Sequence, residues 1–329
     1  MYVGKKVTRV DAYDKVMGRT KYTDDLCDSG AYVARILHAT IANGLVKSID
    51  VSAAERIPGV VKVFTCFDVK EKHYFPTAGH PWSTDEEHQD VADRLVLTQR
   101  VRFYGDDIAA VVAENEVAAA QALRAIQVEY DTYPFVLDVQ EAMQDGAPQL
   151  HEAYPNNILK HTSIRKGNYE EAIREPGLIK VEGWYETPAV QHCHIENFIC
   201  YAEMVGERIK VVTSTQIPHI VRRVVGQALG LPWGSIQVIK PYIGGGFGNK
   251  QDVLYEPLCA WLCMQLGGHL VKLDIPREDT FVSTRVRHAI RTHIISWVRP
   301  DGTFVARKLE AFSDQGAYAS HGHSIVAKG

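Results

Sequence analysis

Residues 239–253 read IKPYIGGGFGNKQDV, and four of the five positions 244–248 are glycine. Glycine gives up more conformational freedom on folding than any other residue, so such a run needs a compensating reason. Three readings compete. A tight turn between a strand and a helix would use one or two glycines. A phosphate cradle at a helix N-terminus would expose the same bare backbone. However, the dinucleotide spacing G-x-G-x-x-G fails because position 249 is Asn, and the P-loop ending fails because Lys250 precedes Gln251. The third reading is close approach of the backbone to a large bound group, with Phe247 and nearby N–H groups laid against it.

Other residues have chemical potential. His192, His194 and Glu196 alternate in HCHIE. On a strand they would share one face and could hold zinc, or line a channel, or serve structure alone. Gln216 stands where a strand meets a helix, either as a polar entry residue or as a partner of the glycine loop. Arg285, Arg287 and Arg291 could form a basic strip for an anion or a solvated face. His73, His80 and His88 lie in a polar stretch, 72–94, that reads as a long surface loop without ligand spacing. The six cysteines form no C-x-x-C pair, which argues against an iron–sulfur or structural zinc site, and Cys259 and Cys263 fall in an apolar helical run.

Composition sets the frame. The chain has 329 residues, enough for two domains. Its net charge of −4 gives no electrostatic case for nucleic acid or an anionic membrane. No apolar run approaches a membrane span, and the N-terminal MYVGKKVTRVDAYDKV has no signal-peptide core, so a cytoplasmic protein is expected.

The elements that must position these groups follow from periodicity. Residues 31–40, 46–51, 60–65, 108–114 and 127–131 read as strands, with an Ala-rich helix over 115–126. Ser52 and Glu55 have capping-box spacing before a short helix. A polar stretch around 141–160 with Gly146, Pro148 and Pro155 reads as a linker. Beyond it, 208–214 is a strand, Pro218 opens a helix ended by Gly230, 235–240 is a strand, the glycine loop follows, and the helix in 253–268 comes next. If the two strands are parallel, the crossover brings Gln216 and Phe247 to one crevice. Residues 288–320 form a long hairpin turning at Pro300-Asp301-Gly302.

Several of these stretches together resemble the molybdenum hydroxylase family, in particular the N-terminal part of the molybdenum-binding subunit of bacterial xanthine dehydrogenases. The resemblance runs from about residue 9 onward and rests on RVDAYDKVMGRTKYTDDL, with Gly18, Tyr22 and Asp25, on IPGVVKVFTCFDV and VRFYGDDIAAVVAENEVAAAQAL, on HCHIE, on STQIPHIVRRVVGQALGLP and on GGGFGNK. It implies a mixed α/β (α+β) chain: an α/β hammerhead domain over 1–140, a linker over 141–160, and the first, incomplete part of a molybdopterin-binding domain over 161–329.

The resemblance also implies roles. Gln216 would donate a hydrogen bond to a ligand of the molybdenum. Gly246, Phe247 and Gly248 would lie beside the molybdopterin-type cofactor, with no direct protein ligand to the metal. Gln251 would contact substrate, where purine-oxidising relatives often have Glu; an amide donates and accepts, whereas a carboxylate only accepts. The implied reaction is hydroxylation of a purine such as hypoxanthine or xanthine with water as oxygen source. Relatives acting on nicotinate, aldehydes or carbon monoxide, and a non-catalytic assembly or relic chain, are the alternatives. Iron–sulfur clusters and FAD would reside on an iron–sulfur subunit and an FAD subunit. The base, a glutamate in the family, would lie in a remaining half of the molybdenum subunit. The family's subunits are much longer, so this chain is expected to be an excised, naturally split or truncated piece that is inactive alone.

Overall fold

The structure is a computed structural model that describes residues 3–78 and 89–326. Helix α1 (Ala12–Val16) buries none of its residues. Strands β1 (Tyr32–His38), β2 (Gly44–Asp50), β3 (Val60–Thr65), β4 (Arg100–Val101) and β5 (Asp107–Ala113) precede α2 (Glu116–Ala125) and β6 (Gln127–Thr132). Helices α3 (Val139–Ala142) and α4 (Tyr169–Ala172) lead to β7 (Ile179–Thr187), β8 (Ile199–Val205) and β9 (Arg208–Thr213). Then come α5 (Pro218–Leu229), β10 (Ile236–Ile239), α6 (Glu256–Gln265), β11 (Val271–Asp274), α7 (Arg277–Ser283), the hairpin of β12 (Ile290–Val298) and β13 (Phe304–Ser313), and α8 (Gly322–Val326).

Local sequence explains the main helices. Asn115 caps α2 by accepting from the Ala118 N–H at 2.9 Å, and the small Ala118, Ala119 and Ala122 bury its inner face. Pro218 occupies the first turn of α5, where its missing N–H is no loss, and Gly230 ends it at φ 66°. The apolar face of α5 buries Val221, Val224, Val225 and Ala228, while α6 buries Leu258, Cys259, Leu262 and Cys263.

Seven strands form the main sheet in the order β10-β9-β8-β11-β1-β5-β3. Strand β1 pairs in parallel with β11, Tyr32 opposite Val271, so N-terminal and C-terminal segments share one sheet. Strands β9 and β10 are parallel, Ile209 opposite Ile236, with α5 as the crossover. Two three-stranded sheets complete the architecture, β4-β2-β6 and β13-β12-β7.

Two expectations change. No side chain caps the turn after Ser52; Glu55 instead meets Lys62 Nζ at 2.7 Å. The described part of 72–94 is not a surface loop: Phe75 and Thr77 are buried, and Val253 N–H donates to the Thr77 carbonyl at 2.9 Å. Alternation gave no hint of this, because one buried aromatic in a polar run has no period. His80 and His88 lie outside the described residues, while His73 sits 3.3 Å from Glu71. Residues 141–160 are tied down at several points, the Leu150 carbonyl accepting from Arg102 Nε at 2.9 Å and His151 Nε2 meeting the Ala317 carbonyl at 2.6 Å.

The hairpin is as expected, but the third strand of its sheet, β7, is additional. By register Ile179, Val181 and Tyr185 of β7 share a face with Ile294 of β12 and Leu309 of β13. Ile179, Val181, Tyr185 and Leu309 are each at least 50% exposed. Exposed apolar side chains gathered on one sheet face, with Ser296 and Arg307 among them, promote association. The purified chain is expected to self-associate as its concentration rises in sedimentation velocity, and Val181→Lys with Leu309→Lys to restore a monomer. A wild-type chain that stays monomeric throughout would refute this.

Candidate functional site

The parallel β9–β10 pair sends both following segments to the same sheet edge. Strand β9 runs into Ser214-Thr215-Gln216, and β10 into the glycine loop. The two touch. Gln216 N–H donates to the Lys250 carbonyl at 2.9 Å, and Gly248 N–H donates to Gln216 Oε1 at 3.2 Å. With its oxygen so engaged, the Gln216 side chain has its NH2 free of any partner among the described residues. The N–H groups of Gly246 and Phe247 likewise make no hydrogen bond among the described residues.

The glycines have reasons within the chain itself. A Cβ on Gly246 would fall 2.5 Å from Gln216 Oε1, and one on Gly244 2.5 Å from the Glu196 Cβ. Gly245 and Gly248 adopt φ of 102° and 100°, a region costly for other residues. Phe247 adopts φ 51° and is 74% exposed. An aromatic held in left-handed backbone with its ring in solvent gains nothing from core packing. Nor does the run enter an α-helix. It feeds the short 3-10 turn Asn249–Gln251, and α6 starts later, so the phosphate-cradle geometry is absent. Gln251 closes that turn, half-buried, with its N–H on the Gly248 carbonyl at 3.2 Å.

Behind the loop lie charged groups that sequence reasoning left out of the site. Lys250 is fully buried and its Nζ meets Glu196 Oε2 at 2.7 Å. Burial pushes the Lys250 ammonium below its usual range, against the pull of Glu196. Asp252 is buried and accepts from Arg285 Nη1 at 3.2 Å, Thr77 Oγ1 at 3.2 Å and Ser320 Oγ at 2.6 Å, with His321 Nδ1 at 2.8 Å. Burial raises its pKa, but His321 and Arg285 outweigh burial and hold the carboxyl below the usual range. The only available signal was a lysine beside a glycine run that matches no phosphate motif.

The zinc arrangement does not form. HCHIE is not a strand, Cys193 has φ 52°, and Glu196 is committed to Lys250. His194 Nδ1 faces the Glu196 carbonyl at 2.5 Å, and burial, then Lys250, pushes its pKa down to about 4. No group of three candidate metal ligands occurs among the described residues. The basic strip also dissolves: Arg285 turns inward to Asp252, and Arg291 pairs with Glu186 at 2.6 Å and Asp138 at 3.2 Å. An open cleft between Met204, Ile209, Leu231 and Met264 lies apart from the loop, and its lining is mainly apolar.

Residues 150–329 match a family model described as the molybdopterin cofactor-binding domain, and residues 17–134 one described as the aldehyde oxidase and xanthine dehydrogenase a/b hammerhead domain. The chain belongs to the molybdenum hydroxylase family. Gln216 and the whole glycine loop fall inside the molybdopterin-binding match. Among curated molybdenum hydroxylases, the xanthine dehydrogenase molybdenum-binding subunit of Escherichia coli O157:H7 is 44% identical over 322 residues, covering 98% of this chain and 42% of that protein. This chain therefore spans under half the length of that relative. The nicotinate dehydrogenase large molybdopterin subunit of Eubacterium barkeri is 30% identical, covering 99% of this chain and 73% of that protein. Quinoline 2-oxidoreductase from Pseudomonas putida 86 superposes with a TM-score of 0.87 at 28% identity, over 97% of this chain and 40% of that one. The aldehyde oxidoreductase of Desulfovibrio gigas shares the fold, with a TM-score of 0.89 at 24% identity, over 99% of this chain and 36% of that one.

Proposed function

We propose that the chain supplies one wall of the molybdenum site in a xanthine dehydrogenase-like enzyme that hydroxylates purines, xanthine or hypoxanthine, with water as the oxygen source. The observation that carries this is the rim around Gln216. Its amide NH2 and the N–H groups of Gly246 and Phe247 are donors without partners among the described residues, beside an exposed aromatic. That donor set suits an anionic, oxygen- and sulfur-bearing group, so the residues fit a molybdopterin-type cofactor. Gln216, Gly246, Phe247 and Gly248 would hold it; none would ligate the metal. Bound there, the cofactor supplies the Lewis acid and two-electron chemistry of oxygen transfer.

Gln251 would read the substrate ring. The carboxylates behind the rim, Glu196 and Asp252, are already engaged by Lys250 and by Arg285 with His321. A general base is therefore assigned to the remaining half of the molybdenum subunit, and the chain alone is inactive. An iron–sulfur subunit and an FAD subunit would carry electrons away. The units 1–140 and 161–329, joined by 141–160, would serve as hammerhead and partial cofactor-binding domains. A cytoplasmic location goes with this reading, since all six cysteines are free thiols. One second reading has specific support: the nicotinate dehydrogenase subunit is matched over 73% of its length, which favours nicotinate as the rival substrate.

The test is co-expression with the missing half and both redox subunits, followed by molybdenum analysis and dye reduction with xanthine, hypoxanthine, nicotinate, an aldehyde and carbon monoxide. Purine turnover by the assembly and none by the chain alone is expected. Turnover by the isolated chain, or an assembly active only on nicotinate, would overturn the corresponding claim. In the same assembly Gln251→Glu is expected to change the ratio of kcat/KM between xanthine and hypoxanthine by about tenfold, because a charge-assisted hydrogen bond replaces a neutral one. An unchanged ratio would remove Gln251 from the substrate site.

A further inference from the structure

The rim carries a backbone conformation that needs outside support. Phe247 and Gly248 both have positive φ, and the Phe247 ring packs on no core. Both ends of the loop, however, meet one carboxylate. Glu196 Oε2 accepts from the Gly244 N–H at 2.8 Å and from Lys250 Nζ at 2.7 Å. Glu196 N–H in turn donates to the Gly244 carbonyl at 3.3 Å. No side chain fits at 244, because Glu196 Cβ already occupies that space.

Glu196 is itself anchored. Arg277 Nη2 on α7 donates to the carbonyls of His194 and Ile195 at 2.6 and 2.9 Å, which fixes the segment carrying Glu196. Lys250 passes the restraint onward. Its carbonyl accepts from Gln216 N–H at 2.9 Å and its ammonium lies 5.9 Å over the Phe198 ring, so a shift of Lys250 shifts Gln216. Breaking a buried ion pair by removing one partner leaves an uncompensated charge, so the pair has a defined geometry to lose.

We propose that Glu196, acting through Lys250, is a positioning residue that fixes how the rim from Gly246 to Gln251 is presented. Its purpose, to aim Gln216 and the free N–H groups at a cofactor, rests on the function proposed above; its mechanics do not. The competing account is that the turn is held without Glu196, through Asn249 N–H on the Gly246 carbonyl at 2.8 Å, Gln251 N–H on the Gly248 carbonyl at 3.2 Å, Asn249 Nδ2 on Gln191 Oε1 at 2.7 Å and Arg285 Nη1 on the Gly248 carbonyl at 3.3 Å.

Hydrogen exchange read by mass spectrometry on the purified chain separates the two. Glu196→Gln is expected to speed exchange in peptides covering 242–252 by about tenfold or more while β8 and α5 keep their protection. Glu203→Gln, which breaks the Lys210–Glu203 contact of 2.8 Å away from the rim, is expected to leave 242–252 unchanged. Unchanged rim exchange in Glu196→Gln would overturn the proposal, and so would a uniform rise across β8 and α5, which marks a merely structural role. If Glu196→Gln does not fold, Glu196→Asp, charged but one methylene short, is read by the same criteria. Molybdenum per wild-type chain in the co-expressed assembly is measured alongside. A metal-free assembly would remove the cofactor reading while the exchange result still decides the positioning claim.

Discussion

Replacing Gln216 with alanine is expected to lower turnover of the assembled enzyme roughly 100-fold, the usual consequence of removing one preorganised donor from a site where charge develops. The geometry separates this from a folding effect. Gln216 is half-buried and its side-chain bond to Gly248 N–H spans 3.2 Å. Losing one such bond costs about 1 kcal/mol, so the chain's thermal midpoint moves by only a few degrees. Gln216→Glu sharpens the test. A carboxylate can still accept from Gly248 but cannot donate, so it should preserve the rim and still lose turnover. Steady-state kinetics with molybdenum analysis on each variant checks this. Full activity in Gln216→Glu would show that the amide donor has no role.

His38 has the second large effect, on stability and its pH dependence. It ends β1, with Nδ1 2.9 Å from Asp107 Oδ1 on β5 and Nε2 3.7 Å from Asp279 Oδ2 on α7, neither contact aligned as a hydrogen bond. Burial alone would lower its pKa, but the two carboxylates outweigh burial and raise it to about 10. A raised histidine pKa gives stability that is fully present below the ordinary value of 6.5 and is lost as pH climbs toward 10. His38→Gln leaves the two aspartates without their cation. It is expected to cost about 3–5 kcal/mol near pH 6 and far less near pH 10, by urea unfolding. His194 acts in the opposite direction. Its pKa is lowered to about 4, so the stability it contributes is present above 6.5 and falls away as pH drops toward 4. Wild-type unfolding midpoints should therefore fall on both sides of neutrality, and His38→Gln should flatten the alkaline side alone. An unaltered alkaline limb in that variant would exclude His38 as its source.

How much of this was legible in sequence depends on the kind of order involved. Strands β1, β3, β5 and β9, helices α2 and α5, and the β12–β13 hairpin announce themselves through period, caps and turn residues. So does the meeting of Gln216 with the loop, because a parallel pair with a helical crossover has one handed solution. The chain's own reasons for Gly244 and Gly246 were not legible. They depend on Glu196 and Gln216 arriving from other elements, at distances that no local pattern encodes. The same holds for Lys250, whose neighbours in sequence are polar but whose ammonium ends in the interior. Strand β7 escaped for a different reason: it is exposed along nearly its whole length, so it lacks the alternation of burial that marks a strand.

The shared seven-stranded sheet sets a timetable for the ribosome. One edge of β1 waits for β11, and Tyr32 cannot meet Val271 until the intervening chain has been made. At ordinary elongation rates of about 5–20 residues per second, that edge stands open for roughly ten to fifty seconds. During that interval Val33 and Ala34, which pair with β11 and are buried in the finished protein, lie along an unfilled edge. Slowing synthesis between β5 and β11 is therefore expected to cost yield even though no residue has been altered.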